Sequence, residues 1–271
     1  MDFLKLYSTL FQENKIEYQD DIHVYVLGDK KIPSVTKIKS KFKEPFDGEY
    51  FSLFKALQQS GYKVKKGTIR SFPRNPSRNT KSILIDGKEY NANYDELKDK
   101  FSFTITPEEL RLQWSNKGKA SAERGTMIHK YLENAIRNKF DNSIRYSFLD
   151  DYLASSKDVN LFNELIVHNN IIAGTIDRLD YSPELDGLVI KDYKTDEEIT
   201  TSNYFQKLLR PFSHLDDCKL NEYSIQINLY RQLFESMTGE EIKGMELHHI
   251  DLVNEKVTVY NINKFEVPCE L

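Results

Sequence analysis

The sequence predicts a protein of the α/β (α+β) class, with a group of strands placed between helices. Three consecutive segments, residues 161–168, 170–181 and 186–194, are rich in β-branched residues and separated by turn formers, which is typical of strands. Apolar residues recur at helical spacing before them, at 119–138, and after them, at 221–237. The 271-residue length allows one large domain or two small ones.

The N-terminal third is predicted to combine short strands with one short helix. Residues 21–28 alternate like a strand, and Ser34 is a suitable N-cap for a helix through residue 42. Asp86-Gly87 stands between two strand-like runs, which is a strong hairpin signal. Residues 67–79 carry two prolines and are predicted to form a loop.

A helix is predicted to begin after Thr106. Thr106 is suited to the N-cap, Pro107 to the first helical position and Glu109 to the third, as in a capping box. We therefore expect an N-terminal accessory region over residues 1–105 and the main domain over residues 106–271.

The C-terminal part is predicted to be a helix followed by a hairpin. The helix over residues 221–237 should stop at Gly239, a residue type favoured just after a helix. Two strand-like runs then flank Asn254-Glu255, which predicts a final hairpin with its turn at that dipeptide.

Composition excludes several classes of protein. The chain has 39 % hydrophobic and 30 % charged residues, and no apolar stretch long enough to span a bilayer. The start lacks the order of a signal peptide, so we expect a cytoplasmic protein with no membrane partner. The two cysteines, Cys218 and Cys269, are too few for a four-cysteine iron–sulfur cluster. The sequence has no GxxxxGK[ST] motif, so we expect no bound nucleotide.

Charge is distributed unevenly along the chain. Residues 50–85 contain no acidic residue and carry +8, so with a net charge of -4 the remainder carries -12. A solvated loop explains such a run, and so does phosphate binding. The candidate nucleic-acid contacts in this segment are Lys63, Lys65, Lys66 and Arg70.

Two carboxylates and a lysine are predicted to converge on neighbouring strands. In an antiparallel hairpin, Asp177 and Asp192 stand opposite each other, and alternation puts Lys194 on the face of Asp192 and Tyr193 on the other. Adjacent carboxylates repel, so a cation or a shared proton would have to compensate them. Oxygen ligands favour Mg²⁺ or Mn²⁺, and a nearby lysine suits chemistry on phosphate. Ordinary surface salt bridges are the alternative.

Other polar residues are weak evidence of function when each is considered alone. His129 lies on a predicted helix with Glu133 one turn on, and a lone histidine there is either a metal ligand or a packed residue. Glu164 alone is uninformative. Gln226 and Tyr230 share a helix face, and they either project toward a substrate or belong to the core.

The order of these segments is recognisable. GTMIH, an isolated Glu, AGTID, KDYKT and QINLY in succession resemble the PD-(D/E)XK nuclease superfamily, in its RecB-like and phage-exonuclease branch, over residues 106–237. The run IPSVTKI, followed by a helix with Trp114, is similar to nucleases related to the mitochondrial genome maintenance exonuclease. The resemblance implies a restriction-endonuclease-like core, in which helices flank a mixed central β-sheet, with an N-terminal α+β extension.

The resemblance also implies the roles of single residues. The implied ligands of Mg²⁺ or Mn²⁺ are His129, Asp177, Asp192, the main-chain carbonyl of Tyr193 and, as a further candidate, Glu164. Lys194 would be the catalytic lysine, together with the two aspartates, while Gln226 and Tyr230 would contact DNA. The first acidic position is Asp177 in GTID rather than in a Pro-Asp dipeptide, as is common in RecB-like members. One- and two-metal mechanisms both stay open.

The expected function is metal-dependent hydrolysis of DNA, as an exonuclease in phage or mobile-element replication, recombination or repair. A structure-specific or defence endonuclease and a non-catalytic nucleic-acid-binding module of the same fold are the alternatives. The expected partners are single-stranded DNA or duplex ends, with a recombinase, a single-strand-binding protein or a helicase as candidate protein partners. The compartment would be the host-cell cytoplasm if a phage encodes the chain.

Overall fold

The computed structural model describes residues 6, 8–10, 16–19, 24–70, 80–136 and 145–268. The protein belongs to the mixed α/β (α+β) class, as predicted. It divides into a larger unit, Met1–Glu44 with Arg124–Leu271, and a smaller unit, Pro45–Glu123. This division differs from the expected boundary at residues 105 and 106.

Six helices and eleven strands have defined ranges among the described residues, together with one short 3₁₀ helix at Ser40–Phe42, and residues 6 and 8–10 are also helical. The helices are α1 (Val35–Lys39), α2 (Gly48–Gln59), α3 (Tyr94–Leu97), α4 (Pro107–Ile136), α5 (Ser147–Ser155) and α6 (Lys219–Thr238). The strands are β1 (Ile16–Gln19), β2 (Val24–Leu27), β3 (Lys30–Ile32), β4 (Val64–Arg70), β5 (Thr80–Ile85), β6 (Lys88–Asn91), β7 (Val159–His168), β8 (Ala173–Ser182), β9 (Gly187–Lys194), β10 (Ile242–Asp251) and β11 (Lys256–Asn261). None of these helices has both the length and the apolar character needed to cross a bilayer.

The larger unit is built on a five-stranded sheet in the order β11-β10-β9-β8-β7. Strands β7, β8 and β9 form an antiparallel meander, and α6 then crosses over so that β10 runs parallel to β9. The sheet is therefore mixed, as expected. The β8–β9 register pairs Arg178 with Lys191, which confirms the predicted symmetry of the hairpin and sets Asp177 level with Asp192.

Helix α6 is packed closely against this sheet. Ile225, Leu229 and Phe234 are fully buried in the main core. Gly174 in β8 lies so close to α6 that an added Cβ would stand 2.5 Å from the Tyr230 ring and 2.9 Å from a methyl group of Val35. Only glycine allows this approach, so the helix position depends on a residue without a side chain.

Helix α1 belongs to the same core, which explains why the N-terminal residues group with the larger unit. Ser34 forms an isolated bridge with Ala173 of β8, and its hydroxyl accepts a 3.1 Å hydrogen bond from the Lys37 N–H, so the predicted cap is confirmed. Ile38 and Phe42 are buried in the main core. The apolar side of α1 therefore faces the sheet.

The smaller unit contains the three-stranded sheet β4-β5-β6 over a core from α2 and α3. The turn at Asp86-Gly87 has φ values of 49° and 83°, which confirms the predicted hairpin. Residues 67–70 belong to strand β4, where a loop was predicted, because Ile69 and Arg70 pair with β5 beyond an irregularity in the register after Lys66. Residues 71–79, the rest of that prediction, lie outside the described residues.

Helix α4 joins in one helix two segments that the sequence predicts separately, the helix beginning after Thr106 and the helical pattern at 119–138. Its start is as expected, because Thr106 and Glu109 exchange the two hydrogen bonds of a capping box. The helix then continues for 30 residues to Ile136. Gly118 and Gly125 each cost roughly 1 kcal/mol relative to alanine, which is too little to interrupt a helix of this length.

Candidate metal centre

His129 is placed by the packing of α4 over the end of strand β9. Its neighbour Ile128 is buried in one cluster with Leu149 and the Tyr193 side chain. The His129 Nε2 atom lies 3.0 Å from the main-chain carbonyl of Tyr193. Because a carbonyl only accepts, Nε2 carries the hydrogen, and in the neutral ring Nδ1 then presents a lone pair.

Three acceptor atoms converge beside this ring. His129 Nδ1 lies 3.7 Å from Asp177 Oδ2 and 4.0 Å from Glu164 Oε1. The ligating atoms of the three residues all lie within 4.8 Å of one another. These separations are too long for hydrogen bonds. Ligands about 2.1 Å from one octahedral cation lie about 3 Å apart when adjacent and about 4 Å apart when opposite, so the three atoms would each move inward by a small distance to share a cation.

The backbone around the three residues is specialised. Asp177 Oδ2 accepts a 2.7 Å hydrogen bond from the Tyr193 N–H, which ties β8 to β9 at the centre. Glu164 lies in β7 opposite Asp177 and has a φ of 51°, in the left-handed region. That conformation costs a non-glycine residue about 1–2 kcal/mol, and such strain is characteristic of functional sites.

Negative charge is crowded at Glu164. Partial burial and the neighbouring carboxylates of Asp177 and Glu133 raise the pKa of Glu164 to about 8. Its side chain is nevertheless 41 % exposed, so solvent moderates the repulsion. The donor set of one imidazole and two carboxylates, together with this excess of negative charge, fits a divalent cation.

Asp192 and Lys194 form an ion pair next to these three residues. Asp192 is only 1 % exposed, and its carboxylate pairs with the Lys194 ammonium. Burial raises the pKa of Asp192, and the carboxylates of Asp192 and Asp177 raise the pKa of Lys194 against the opposite effect of burial. Lys194 also donates to the Tyr193 carbonyl at 3.2 Å, so that oxygen accepts from both Lys194 and His129.

The structure thus brings together all the predicted central residues, but in two groups. His129, Asp177 and Glu164 face one common space, whereas Asp192 is held by Lys194. Tyr193 points its side chain into the cluster beneath α4, while Lys194 lies 5.1 Å from the Tyr223 ring of α6. The predicted alternation of β9 is therefore confirmed.

Gln226 and Tyr230 lie behind Asp192, and both are 6 % exposed. The Gln226 amide donates to the Tyr230 hydroxyl at 2.9 Å and to Asp192 Oδ1 at 3.4 Å. Their predicted contact with DNA stays a prediction. The hydrogen bonds indicate a second role for Gln226, because its amide helps to orient the Asp192 carboxylate.

The basic segment lies in the smaller unit. The side chains of Lys63, Lys65 and Lys66 are exposed on or beside strand β4. Lys66 lies 5.2 Å from the centre of the Phe51 ring. The side chain of Arg70 lies outside the described residues. The three lysines remain candidates for phosphate contact.

Sequence reasoning did not single out Lys39, which contacts both Gln226 and Tyr223. Lys39 Nζ donates to Gln226 Oε1 at 2.8 Å and lies 4.7 Å from the Tyr223 ring centre. The Tyr223 hydroxyl donates to Asp196 at 2.6 Å. The only signal in the sequence was the alternation of lysines after Ser34, which does not show which of them turns inward.

Comparison with known proteins adds little. No protein-family model matches the chain, and no curated protein matches it. A solved structure titled "Crystal structure of SSO0001" is similar at 17 % identity and a TM-score of 0.27, over 58 % of this chain. The aligned part covers 59 % of that structure's length.

Proposed function

We propose that this chain is a divalent-metal-dependent nuclease that hydrolyses phosphodiester bonds in DNA, acting as an exonuclease. The observation that carries the proposal is the convergence of His129 Nδ1, Asp177 Oδ2 and Glu164 Oε1 at separations too long for hydrogen bonds. The ammonium of Lys194, anchored beside them, supplies the positive charge that phosphate chemistry needs. The choice of DNA and of an exonuclease rests on the resemblance of the ordered motifs.

The chain's own residues would divide the work. A divalent cation held by His129, Asp177 and Glu164 would neutralise charge on the scissile phosphate and lower the pKa of an attacking water. Lys194 stabilises developing negative charge on a phosphoryl oxygen, and Asp192 keeps its ammonium protonated and aimed. Gln226 fixes the Asp192 carboxylate in turn. We also propose that the protein works in the cytoplasm, where DNA replication intermediates would be its substrates.

End-labelled DNA tests the proposal directly. Linear single-stranded, linear duplex and covalently closed circular DNA would be incubated with Mg²⁺, Mn²⁺ or EDTA. We expect metal-dependent degradation of linear DNA and intact circles. Cleavage of circular DNA would show that the protein is an endonuclease rather than an exonuclease. Binding without cleavage in the presence of either metal would favour a non-catalytic nucleic-acid-binding module.

Metal binding should be visible without any cleavage assay. A cation that binds only the folded protein stabilises it by about 2.7 kcal/mol at about a hundred-fold excess over its Kd. We therefore expect Mn²⁺ to raise the melting temperature of the wild type and to have no such effect on Asp177→Asn. Glu164→Gln should also lose the response, while melting higher than the wild type in EDTA, because it removes one of the crowded carboxylates.

Glu241→Gln serves as the matched control for these variants. Glu241 is an exposed carboxylate between two lysines, and its replacement should leave the Mn²⁺ response intact. An equal rise in melting temperature for the wild type and Asp177→Asn would show that the cation binds elsewhere, and the proposed centre would be wrong.

The basic segment gives a separate prediction about DNA binding. Replacing Lys63, Lys65 and Lys66 with alanine should weaken binding to DNA and reduce the dependence of log Kd on log salt by about 0.9 for each duplex phosphate that the variant no longer neutralises. Fluorescence anisotropy in EDTA over a salt series measures both quantities. Lys98→Ala, which removes an exposed lysine of the same unit, is the control. If the dependence of log Kd on log salt were unchanged, the three lysines of the basic segment would be solvated surface residues that do not contact DNA.

A further inference from the structure

Three ammonium groups surround the ring of Tyr223 on α6. Lys39 lies 4.7 Å, Lys194 5.1 Å and Lys219 5.8 Å from the ring centre. Two of them have acidic partners, since Lys194 pairs with Asp192, and Lys219 lies 3.0 Å from Asp196. Within the described part of the chain, Lys39 forms no ion pair, and its ammonium donates to the neutral Gln226 Oε1 at 2.8 Å.

This position is costly for a cation. Burial and the neighbouring Lys194 lower the pKa of Lys39 to about 8. The carboxylates of Glu222 and Asp192, whose charges act on Lys39 in the opposite direction, are already paired, because Glu222 accepts from Lys43 at 2.8 Å and Asp192 holds Lys194. A partly buried cation among other cations is stabilised when an anion enters its surroundings.

We propose that Lys39 binds a phosphate group of the nucleic-acid strand, next to the phosphate that approaches Lys194. The inference rests on the proposed function and extends it by a second anion-binding position, formed by the last turn of α1 and the Tyr223 face of α6. Lys39 and Lys194 lie over the same aromatic ring, so their ammonium groups can engage neighbouring phosphates of a single strand. The ligand class is a phosphodiester.

A purely structural role for Lys39 predicts a different behaviour. In that case the ammonium would only fix the Gln226 amide, which in turn orients Asp192. Lys39→Gln separates the two roles, because its amide can still donate to Gln226 Oε1 but carries no charge. Phosphate binding requires the charge, whereas positioning requires only the hydrogen bond.

The test is a double-mutant cycle between protein and DNA. Fluorescein-labelled oligonucleotides, each with one neutral methylphosphonate linkage at a different position, would be titrated in EDTA against wild type, Lys39→Gln and Lys39→Arg. We expect one linkage position at which neutralisation weakens wild-type binding about ten-fold but leaves Lys39→Gln unaffected. Lys39→Arg should keep the sensitivity of the wild type.

Two controls keep the result interpretable. Lys37→Gln, which changes an exposed lysine of the same helix, should retain the wild-type response at every position. The melting temperatures of all variants show whether a loss of DNA binding is caused by unfolding. Equal sensitivity of wild type and Lys39→Gln at every linkage would overturn the inference. Because the titration needs no cleavage, its outcome is independent of whether the wild type degrades linear DNA with Mg²⁺, which is what decides the proposed function.

Discussion

Lys194→Ala is expected to lower the rate of DNA cleavage by about a hundred- to a thousand-fold at saturating substrate. The expectation follows from the position of the ammonium, which lies 3.2 Å from the Tyr193 carbonyl and pairs with Asp192 at the edge of the metal centre. Loss of one preorganised charge that acts on the transition state typically costs this much. Single-turnover cleavage of end-labelled linear DNA measures the effect.

The same substitution is also expected to lower stability. If Asp192 and Lys194 were surface residues, their alanine variants should fold normally. Asp192 is instead only 1 % exposed. Removing Lys194 leaves that buried carboxylate with the 3.4 Å contact to Gln226 as its remaining hydrogen bond among those the structure describes. Cleavage should therefore be compared well below the melting temperature of each variant.

A matched control separates catalysis from general loss of charge. Lys207→Ala removes an exposed lysine that pairs with Asp216, and it should cleave DNA at the rate of the wild type. If Lys194→Ala lowers affinity for DNA and leaves single-turnover cleavage unchanged, Lys194 binds substrate but takes no part in the chemistry. Cleavage at the wild-type rate by folded Lys194→Ala would refute its catalytic role.

Much of the fold was predictable because local signals agreed with the tertiary structure. The Asp86-Gly87 turn, the Thr106 capping box and the stop at Gly239 each depend on a few adjacent residues. The continuity of α4 was not predictable in this way, because the capping box marks only the start of a helix and the apolar pattern at 119–138 does not show that both segments form one 30-residue helix. The grouping of α1 with the sheet depends on contacts with residues far along the chain, such as Ala173.

The candidate site was predictable where strand alternation determines it. The opposition of Asp177 and Asp192 and the separation of Tyr193 from Lys194 follow from the period of two and the hairpin symmetry. The left-handed conformation of Glu164 and the inward turn of Lys39 do not follow from any local pattern. Both depend on how neighbouring elements pack, and this information is absent from the residue itself.

Asp180→Ala is expected to destabilise the protein by about 3–5 kcal/mol, although Asp180 takes no part in the proposed chemistry. Asp180 is fully buried and holds two buried cations: it accepts from Arg178 Nε at 2.7 Å and lies 3.0 Å from Lys191 Nζ. Removing one carboxylate leaves excess positive charge in the interior. Chemical denaturation of both proteins measures the difference in the free energy of unfolding.

The matched control is again Glu241, which contacts two lysines on the surface, whereas Asp180 holds its two cations in the interior. Glu241→Ala should change the free energy of unfolding little, because solvent screens exposed ion pairs. An equally small effect of Asp180→Ala would show that Arg178 and Lys191 find other compensation, and the predicted cost would be wrong.

The buried network also supports the metal centre from the opposite side of strand β9. Arg178 donates to the Tyr193 hydroxyl at 3.5 Å, and the main chain of Tyr193 contacts Asp177, His129 and Lys194. Loss of Asp180 should therefore loosen Tyr193 and weaken the Mn²⁺-induced rise in melting temperature, even where the variant is fully folded. Asp180→Asn, which keeps an acceptor for Arg178 while removing the charge, should lose stability but retain more of the Mn²⁺ response than Asp180→Ala, because Arg178 would still be anchored beneath Tyr193.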